Sequence, residues 1–235
     1  MKSEILISIQ NLCKEYEIKK EKKAIYDDFS LNIYKGDRLG LLGKNGAGKT
    51  TLINIIIGKT SFQKGSITFS KNISDKMLDI SYLPQEFQFP PIFTVKNILK
   101  IIKSDLERNK KFNKDFFEFI FNKLNIDSLL NKKYSKLSGG EKQKINLVSV
   151  ILYNPKILIL DEFSSNIDIE TSFTIREILE KLNSTLIVIS HSAKEISEVC
   201  NRLVFLKNGK IFSEIKNKKN ITENSIKKTF KDMED

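Results

Sequence analysis

The chain alternates short apolar runs with longer segments whose apolar residues recur at helical spacing. The short runs predict strands over residues 5–9, 29–33, 38–42, 65–69, 79–83, 156–160, 185–190, 203–206 and 211–215. The helical spacing predicts helices over residues 51–57, 138–154 and 170–182, and a short helix that begins near residue 193. Strands that are apolar throughout and alternate with helices are typical of a mainly parallel sheet with helices on both faces. The pattern therefore predicts an α/β fold.

Hairpins are predicted near both ends of the chain, and a short helix in its tail. The polar segment 19–23 separates two N-terminal strands and predicts a hairpin loop. Near the other end, Asn208–Gly209 lies between two apolar runs, which is a strong signal for a tight hairpin turn. The tail that follows is polar, and its apolar residues fall on one side of a predicted short helix: Ile226, Phe230 and Met233.

A helical insert is predicted in the middle of the chain. From Thr94 to Tyr134 there is neither glycine nor proline, and the apolar residues keep a helical rhythm. Thr94 is a suitable N-cap, but Asn97 stands where a glutamate would complete a capping box. The phenylalanines of segment 112–121 are expected to form the core of this insert; the alternative is a platform on which bases stack.

The most specific motif is Gly43–Thr51, which has the spacing Gly, four residues, Gly-Lys-Thr of a phosphate-binding P-loop. A predicted strand precedes it and a predicted helix follows, so several backbone N–H groups converge where the helix dipole favours anions. Gly46 and Gly48 permit the left-handed or crowded backbone that such a cradle needs. Lys49 is expected along the β- and γ-phosphates, and the Thr50 hydroxyl on Mg²⁺.

Further polar residues follow predicted strands, at the ends where open α/β sheets bind ligands. Asp161 ends an apolar strand and is expected to hold Mg²⁺, while Glu162 beside it is placed to accept a proton from water. The alternative for this pair is an ion-paired helix cap. Gln85 and His191, the only histidine, also follow strands. Gln85 is a candidate contact for Mg²⁺ and water, and His191 is either catalytic or structural.

A second predicted anion site lies at Leu137–Glu141. Ser138 and Glu141 have the spacing of a capping box, and the two glycines between them expose backbone N–H groups at the start of a helix. One chain rarely needs two such sites for one nucleotide. The economical arrangement is a head-to-tail pair in which each subunit's second site closes on the other's P-loop, with two-fold symmetry.

Composition narrows the function classes. The formal net charge is +11, and the basic residues are nearly all lysine; the arginines are Arg38, Arg108, Arg176 and Arg202. Scattered lysine is more typical of a solvated surface than of a nucleic-acid site, and scarce arginine argues against base reading.

Cys13 and Cys200 are isolated, which predicts neither a zinc site nor a disulfide. The N-terminus lacks the apolar core of a signal peptide and no run reaches membrane-span length, so we expect a soluble intracellular protein.

Taken together, these motifs resemble the ATP-binding (nucleotide-binding) subunit of ABC transporters over residues 4–215. The motifs that match are Gly43–Thr51 (Walker A), Gln85 (Q-loop), Leu137–Gln143 (signature), Ile157–Glu162 (Walker B), Ser164–Asp168 (D-loop) and His191 (switch histidine). Tyr16 occupies the place where the family stacks an aromatic ring on adenine. Phe163 departs from the family, since many members have proline there.

The resemblance implies a single domain over residues 1–235, with ATP and Mg²⁺ as ligands. Its parts would be a RecA-like core with an antiparallel β subdomain (about 1–93 and 150–215), a helical subdomain with the signature (94–149) and a polar tail (216–235). The implied catalytic residues are Glu162, His191, Lys49 and Gln85. The implied nucleotide contacts are Tyr16, Gly43, Lys44, Asn45, Gly46, Ala47, Gly48, Lys49, Thr50 and Thr51. The implied metal ligands are Thr50, Gln85 and Asp161; the implied contacts to the other subunit are Ser138, Gly139, Gly140, Glu141 and the D-loop Asp168.

The resemblance also implies partners. Such an ATPase would dimerise with an identical or similar subunit around two ATP molecules and work with a separate membrane permease, on the cytoplasmic face of the cell membrane. No specific nucleic-acid partner is expected. The main alternative is a non-transport ABC ATPase that acts on ribosomes or nucleic acid, which the basic charge keeps open. A nucleotide kinase or GTPase is a weaker alternative, since the chain lacks an Asn-Lys-x-Asp element and such enzymes have no role for Leu137–Glu141.

Overall fold

A computed structural model describes residues 4–18, 21–164 and 167–234. The strands are β1 (Ile5–Ile18), β2 (Glu21–Tyr34), β3 (Arg38–Gly43), β4 (Lys64–Phe69), β5 (Ile80–Leu83), β6 (Ile157–Asp161), β7 (Thr185–Ile189), β8 (Arg202–Lys207) and β9 (Lys210–Ile215). The α-helices are α1 (Lys49–Ile56), α2 (Lys76–Asp79), α3 (Val95–Arg108), α4 (Lys114–Lys123), α5 (Gly139–Ile151), α6 (Ile169–Lys181), α7 (Ala193–Val199) and α8 (Glu223–Asp232). The chain forms two compact units. The first unit comprises the segment up to Ile80 and the segment from Thr185 onward, and the second comprises Ser81–Ser184.

In the first unit, an antiparallel sheet places β1 between β2 and β4. Its buried face carries Ile7, Ile9 and Leu12 from β1, each at most 1% exposed. Strands β1 and β2 are much longer than the apolar runs predicted, because their polar outer halves continue the pairing as far as Ile18 and Glu21. Residues 19 and 20 of the predicted hairpin loop lie outside the described residues.

A second sheet in the first unit has the strand order β7-β3-β8-β9. Strand β3 is parallel to both β7 and β8, while β9 is antiparallel to β8. The central strands are buried almost throughout, as the continuous apolar runs predicted. Asn208 and Gly209 both have positive φ in the β8–β9 turn, at 50° and 72°, which confirms the predicted tight hairpin.

The second unit contains the neighbouring strands β5 and β6 and the helices α3 to α6. Thr94 caps α3 as predicted, and Asn97 does complete a capping box, because its side-chain oxygen accepts the Thr94 backbone N–H at 3.1 Å. Here an amide oxygen serves where a glutamate was expected. The phenylalanines pack on one another: the Phe117 and Phe121 rings stack with centroids 5.4 Å apart. No helix among the described residues has the length and apolar character needed to span a membrane.

Candidate functional site

The loop between β3 and α1 is shaped by close packing around Gly48. This residue has φ +104°, and a Cβ there would lie 2.6 Å from the Tyr26 hydroxyl oxygen. That hydroxyl donates a hydrogen bond of 2.9 Å to the Gly48 carbonyl, and Tyr26 is 1% exposed. Only glycine combines this backbone conformation with so close a neighbour. The predicted need for glycine at this position is confirmed.

Helix α1 begins at Lys49 with no side chain that caps its N-terminal N–H groups and no acidic residue in its first turn. Such an N-terminus leaves N–H donors for an anion. The Lys49 ammonium folds back over the loop and donates to the Gly43 carbonyl at 2.6 Å and to the Lys44 carbonyl at 3.2 Å. Thr50 and the loop residue Gly46 are exposed, so a phosphate chain can reach both.

Tyr16 lies on β1, half-buried, in the same unit as the P-loop. The Lys14 ammonium sits 4.5 Å from the centroid of the Tyr16 ring, and Lys14 itself is 6% exposed. A cation at this distance is attracted to the face of an aromatic ring. Lys14 therefore helps to fix the plane of the ring that sequence analysis assigned to adenine.

His191 follows β7 at the same sheet edge as the P-loop. Strands β3 and β7 run parallel, with Leu39 opposite Ile187, so their carboxyl ends point the same way. Behind the exposed histidine, the Ser192 backbone N–H donates to the Ser190 hydroxyl at 3.0 Å, which fixes the turn. The first unit thus brings the P-loop and His191 to one edge, as expected for residues at the ends of parallel strands.

In the second unit, β6 ends at Asp161, which is 7% exposed. The Tyr82 hydroxyl donates a hydrogen bond to this carboxylate; burial and then the Asp161 charge raise the pKa of Tyr82 to about 12. This hydrogen bond holds the Asp161 carboxylate in one orientation. The next residue, Glu162, has φ +52°, a left-handed conformation that non-glycine residues seldom adopt. Such outliers are concentrated at functional sites.

The turn after Glu162 is hydrogen-bonded to α5, the helix that carries the predicted signature. The side-chain amide of Gln143 on α5 donates to the Phe163 carbonyl at 3.0 Å, and Phe163 is 2% exposed. A buried phenylalanine thus anchors the position where many family members have proline. A movement of α5 would therefore shift Phe163, the residue that follows the predicted general base Glu162.

Helix α5 starts with the predicted capping box. The Ser138 hydroxyl accepts the Glu141 backbone N–H at 3.2 Å, and a Glu141 carboxylate oxygen accepts the Ser138 N–H at 2.8 Å. Glu141 also pairs with Lys132 at 2.8 Å, and this partner, more than any other, lowers the Glu141 pKa. The box leaves Gly139, which is exposed, and the half-buried Gly140 at the helix start.

The remaining predicted site residues of the second unit are exposed. Gln85 follows β5 and Pro84. Asp168 is the N-cap of α6, where its carboxylate accepts the Thr171 N–H at 2.8 Å; this hydrogen bond is the main cause of its lowered pKa. Residues 165 and 166 of the predicted D-loop lie outside the described residues.

The predicted residues divide between the two units. The first unit holds Tyr16, the loop 43–51 and His191; the second holds Gln85, the segment 138–141, Asp161, Glu162 and Asp168. Sequence reasoning missed four residues that support them, Lys14, Tyr26, Tyr82 and Lys132, and it placed Gln143 in the signature without its contact to Phe163. Lys14 had a local signal, because positions two apart on a strand share a face. The others act through contacts distant in sequence, which no local pattern reveals.

The comparisons with known proteins decide the family. The family model described as "ABC transporter" matches residues 26–165. This chain belongs to that family. An uncharacterized ABC transporter ATP-binding protein of Methanocaldococcus jannaschii is 31% identical over 207 residues, which cover 87% of this chain and 75% of that protein. The chain is therefore an ABC ATP-binding subunit and an ATPase.

Other relatives differ in length from this ABC subunit. The methionine import ATP-binding protein MetN 1 of Oceanobacillus iheyensis is 30% identical, over 88% of this chain and 65% of that protein. The ATP-binding protein Uup of Buchnera aphidicola is 34% identical, over 96% of this chain but 38% of that protein. A solved ATP-binding cassette dimer in a post-hydrolysis state with ADP and phosphate has TM-score 0.75 and 22% identity; the match covers 89% of this chain and 98% of that one. This likeness confirms the ABC ATPase fold.

The residues of this ABC subunit fit ATP and Mg²⁺. Gly48 has no room for a Cβ, because Tyr26 and Ile25 of β2 pack against it. A Cβ on Gly46 would meet nothing within 4 Å, so the loop is open to a ligand at that residue. The predicted metal ligands Thr50, Gln85 and Asp161 offer only hydroxyl, amide and carboxylate oxygens. These are the donors that Mg²⁺ prefers, together with phosphate oxygens and water.

Proposed function

We propose that this ABC subunit converts ATP binding and hydrolysis into closure and separation of a head-to-tail dimer, which drives a separate membrane permease. One observation carries the proposal. Glycine lies at the N-terminus of two helices of the same chain, as the N-cap Gly48 of α1 and as Gly139 and Gly140 of α5. Both starts leave backbone N–H groups for an anion, and only α1 follows a P-loop strand. The second start therefore has a role in the ATP site of another subunit.

Within one subunit, the P-loop holds the triphosphate. The amides of loop 43–51 and the Lys49 ammonium neutralise the β- and γ-phosphates, and Tyr16 stacks on the adenine. Thr50, Gln85 and Asp161 would hold Mg²⁺, which supplies charge neutralisation between the phosphates. The Tyr82 hydroxyl supports this arrangement by holding the Asp161 carboxylate in one orientation.

Hydrolysis needs a polarised water and a closed site. Glu162 accepts a proton from the attacking water, and His191 orients against the γ-phosphate. Ser138 and the Gly139 and Gly140 amides of the other subunit complete the shell around that phosphate, where pre-oriented donors are most effective. Asp168 would lie at the same interface.

The permease contact is assigned to the second unit. Gln85 and the helical segment that follows it would relay site closure to the cytoplasmic helices of the membrane protein. Ile101 on α3 is 55% exposed, an apolar side chain available for such a contact. The ATPase would then be peripheral on the inner face of the cell membrane through its partner.

Replacement of the general base tests the catalytic assignment. Glu162→Gln should bind ATP but lose about a hundredfold or more of the ATPase rate. Because hydrolysis opens the dimer, this variant should run as a dimer in size-exclusion chromatography with ATP and as a monomer without it. Glu177→Gln, an exposed glutamate paired with Lys123, is the matched control and should behave as wild type. Undiminished turnover in Glu162→Gln would refute the assignment.

Co-purification tests the transport role. The tagged protein should bring down an integral membrane protein from solubilised membranes of its own source. Retention on ribosomes or RNA, with binding that weakens steeply as salt rises, would instead favour the alternative suggested by the net charge of +11.

A further inference from the structure

The C-terminal helix α8 ends against the P-loop. The Glu234 carboxylate lies 3.1 Å from the Lys44 ammonium, and Lys44 is the residue that follows Gly43 at the end of β3. Both partners belong to the first unit. An acidic side chain from the tail therefore sits in the positive field that is predicted to receive the phosphates of ATP.

Apolar packing, and not the ion pair, holds α8 in place. Ile226 and Met233 are 1% and 3% exposed, and the Phe230 ring meets the Phe205 ring edge-on at 5.7 Å between centroids. A capping box of Thr222 with Ser225 fixes the start of the helix. The side chains of Lys44 and Glu234 are 57% and 63% exposed, so their pair is weak and easily exchanged. The packed helix therefore keeps the Glu234 carboxylate near the P-loop, but the carboxylate can leave Lys44 readily.

A pocket of about 660 Å³ lies at this contact. Its wall is formed by three segments and the helix end: residues 23–25 of β2, 44–47 of the P-loop, 206–209 of the β8–β9 hairpin, and Met233 with Glu234. Three lysines line it, namely Lys23, Lys44 and Lys207. Glu234 is the acidic residue of this wall, so the pocket attracts anions and the tail supplies one.

We propose that the turn that follows α8 is an autoinhibitory latch, in which Glu234 pairs with Lys44 until nucleotide phosphates displace it. This inference rests on the proposed ATP site. Two anions that compete for one cation must each weaken the binding of the other, so the latch lowers the ATP affinity of the nucleotide-free subunit. The coupling is small, because an exposed ion pair changes an affinity by only about two- to fivefold. The subunit would thus need about two- to fivefold more nucleotide to fill its site than it would without the latch.

Nucleotide affinity measured on the full chain tests the latch. Glu234→Gln should lower the Kd of a fluorescent ATP analogue by about two- to fivefold at low salt, the factor that corresponds to an exposed ion pair. The gain should disappear at high salt, which screens the pair. Glu223→Gln is the matched control, since it removes the same charge from the first turn of α8, where its partner is Lys227. It should leave the Kd unchanged.

A double replacement shows whether the effect passes through Lys44. Lys44→Gln should weaken binding, and Glu234→Gln added to it should change the Kd no further. An unchanged or raised Kd in Glu234→Gln, an equal effect of Glu223→Gln, or a full gain in the Lys44→Gln background would each overturn the latch. Absence of binding in the wild type would overturn the proposed ATP site, and the latch with it, so the two failures are distinguishable.

Discussion

At the scale of single residues, the conformation of the P-loop is held by a contact with β2. The Gly48 carbonyl accepts two hydrogen bonds, one from the Tyr26 hydroxyl and one from the Leu52 N–H in the first turn of α1. The phenol thus joins β2 to Gly48, the N-cap residue of α1. Because Tyr26 is buried, the hydroxyl is held by its surroundings and does not exchange with water. The loop would therefore already be in position when a nucleotide binds.

Tyr26→Phe removes this hydrogen bond and should lower the free energy of unfolding by about 1 kcal/mol. It should also change the alkaline behaviour. Burial raises the Tyr26 pKa above its ordinary value near 10, so the unfolded chain loses this proton before the folded one and stability falls as pH rises past about 10. The variant should lose stability less steeply there. Urea titrations at a series of pH values measure both effects, and an identical slope in the two proteins would contradict the account.

At the scale of elements, the start of α5 is stable without any second subunit. Ser138 and Glu141 satisfy each other's N–H groups, and Lys132 holds the Glu141 carboxylate. The amides of the two intervening glycines are therefore presented by a start that is already formed. The composite site proposed above would therefore need little reordering when two subunits meet, which would favour rapid closure.

Glu141→Ala should cost about 1 kcal/mol of stability, since it removes one half of the capping box. Glu141→Gln keeps the box and loses only the charge pair with Lys132, so its cost should be smaller. Thermal unfolding of the two variants beside the wild type provides the comparison. Equal destabilisation by both would mean that the charge pair, and not the cap, stabilises this helix start.

The sequence predicted most elements because their signals are local. The apolar runs of β3, β6 and β7 and the glycine spacing of the P-loop each lie within a dozen residues, and the structure has them where they were expected. What it did not predict depends on distant partners. The length of β1 and β2 follows from polar cross-strand pairing, and the Tyr82–Asp161 and Gln143–Phe163 hydrogen bonds join residues that no periodicity connects.

At the scale of the whole molecule, Arg202 joins the two sheets of the first unit. From β8 it donates to the Asp37 carboxylate at 2.6 Å, to Glu214 of β9 at 2.7 Å and to the Asn32 carbonyl of β2 at 2.8 Å. The side chain is 10% exposed. A single guanidinium with its fork of donors thus satisfies groups from three places in the chain.

Arg202→Met keeps much of the volume but takes the cation from Asp37 and leaves Glu214 with only the exposed Lys216. Removal of one partner from a largely buried ion-pair network should cost about 3 kcal/mol. Lys216→Met is the control, because Lys216 contacts the same Glu214 from an exposed position, at 3.3 Å, and should matter little. Chemical denaturation separates the two, and similar costs would show that the buried network contributes no special stability.

The central claim is that each ATP site combines the P-loop of one subunit with the signature of another. Lys49→Ala removes a P-loop but keeps a signature, and Ser138→Arg blocks a signature but keeps a P-loop. The deciding measurement is the ATPase rate of an equal mixture of the two variants. Each alone should be inactive, and the mixture should recover activity, because the mixed dimer contains one complete site. A mixture as inactive as its components, or a fully active Ser138→Arg alone, would contradict the head-to-tail arrangement.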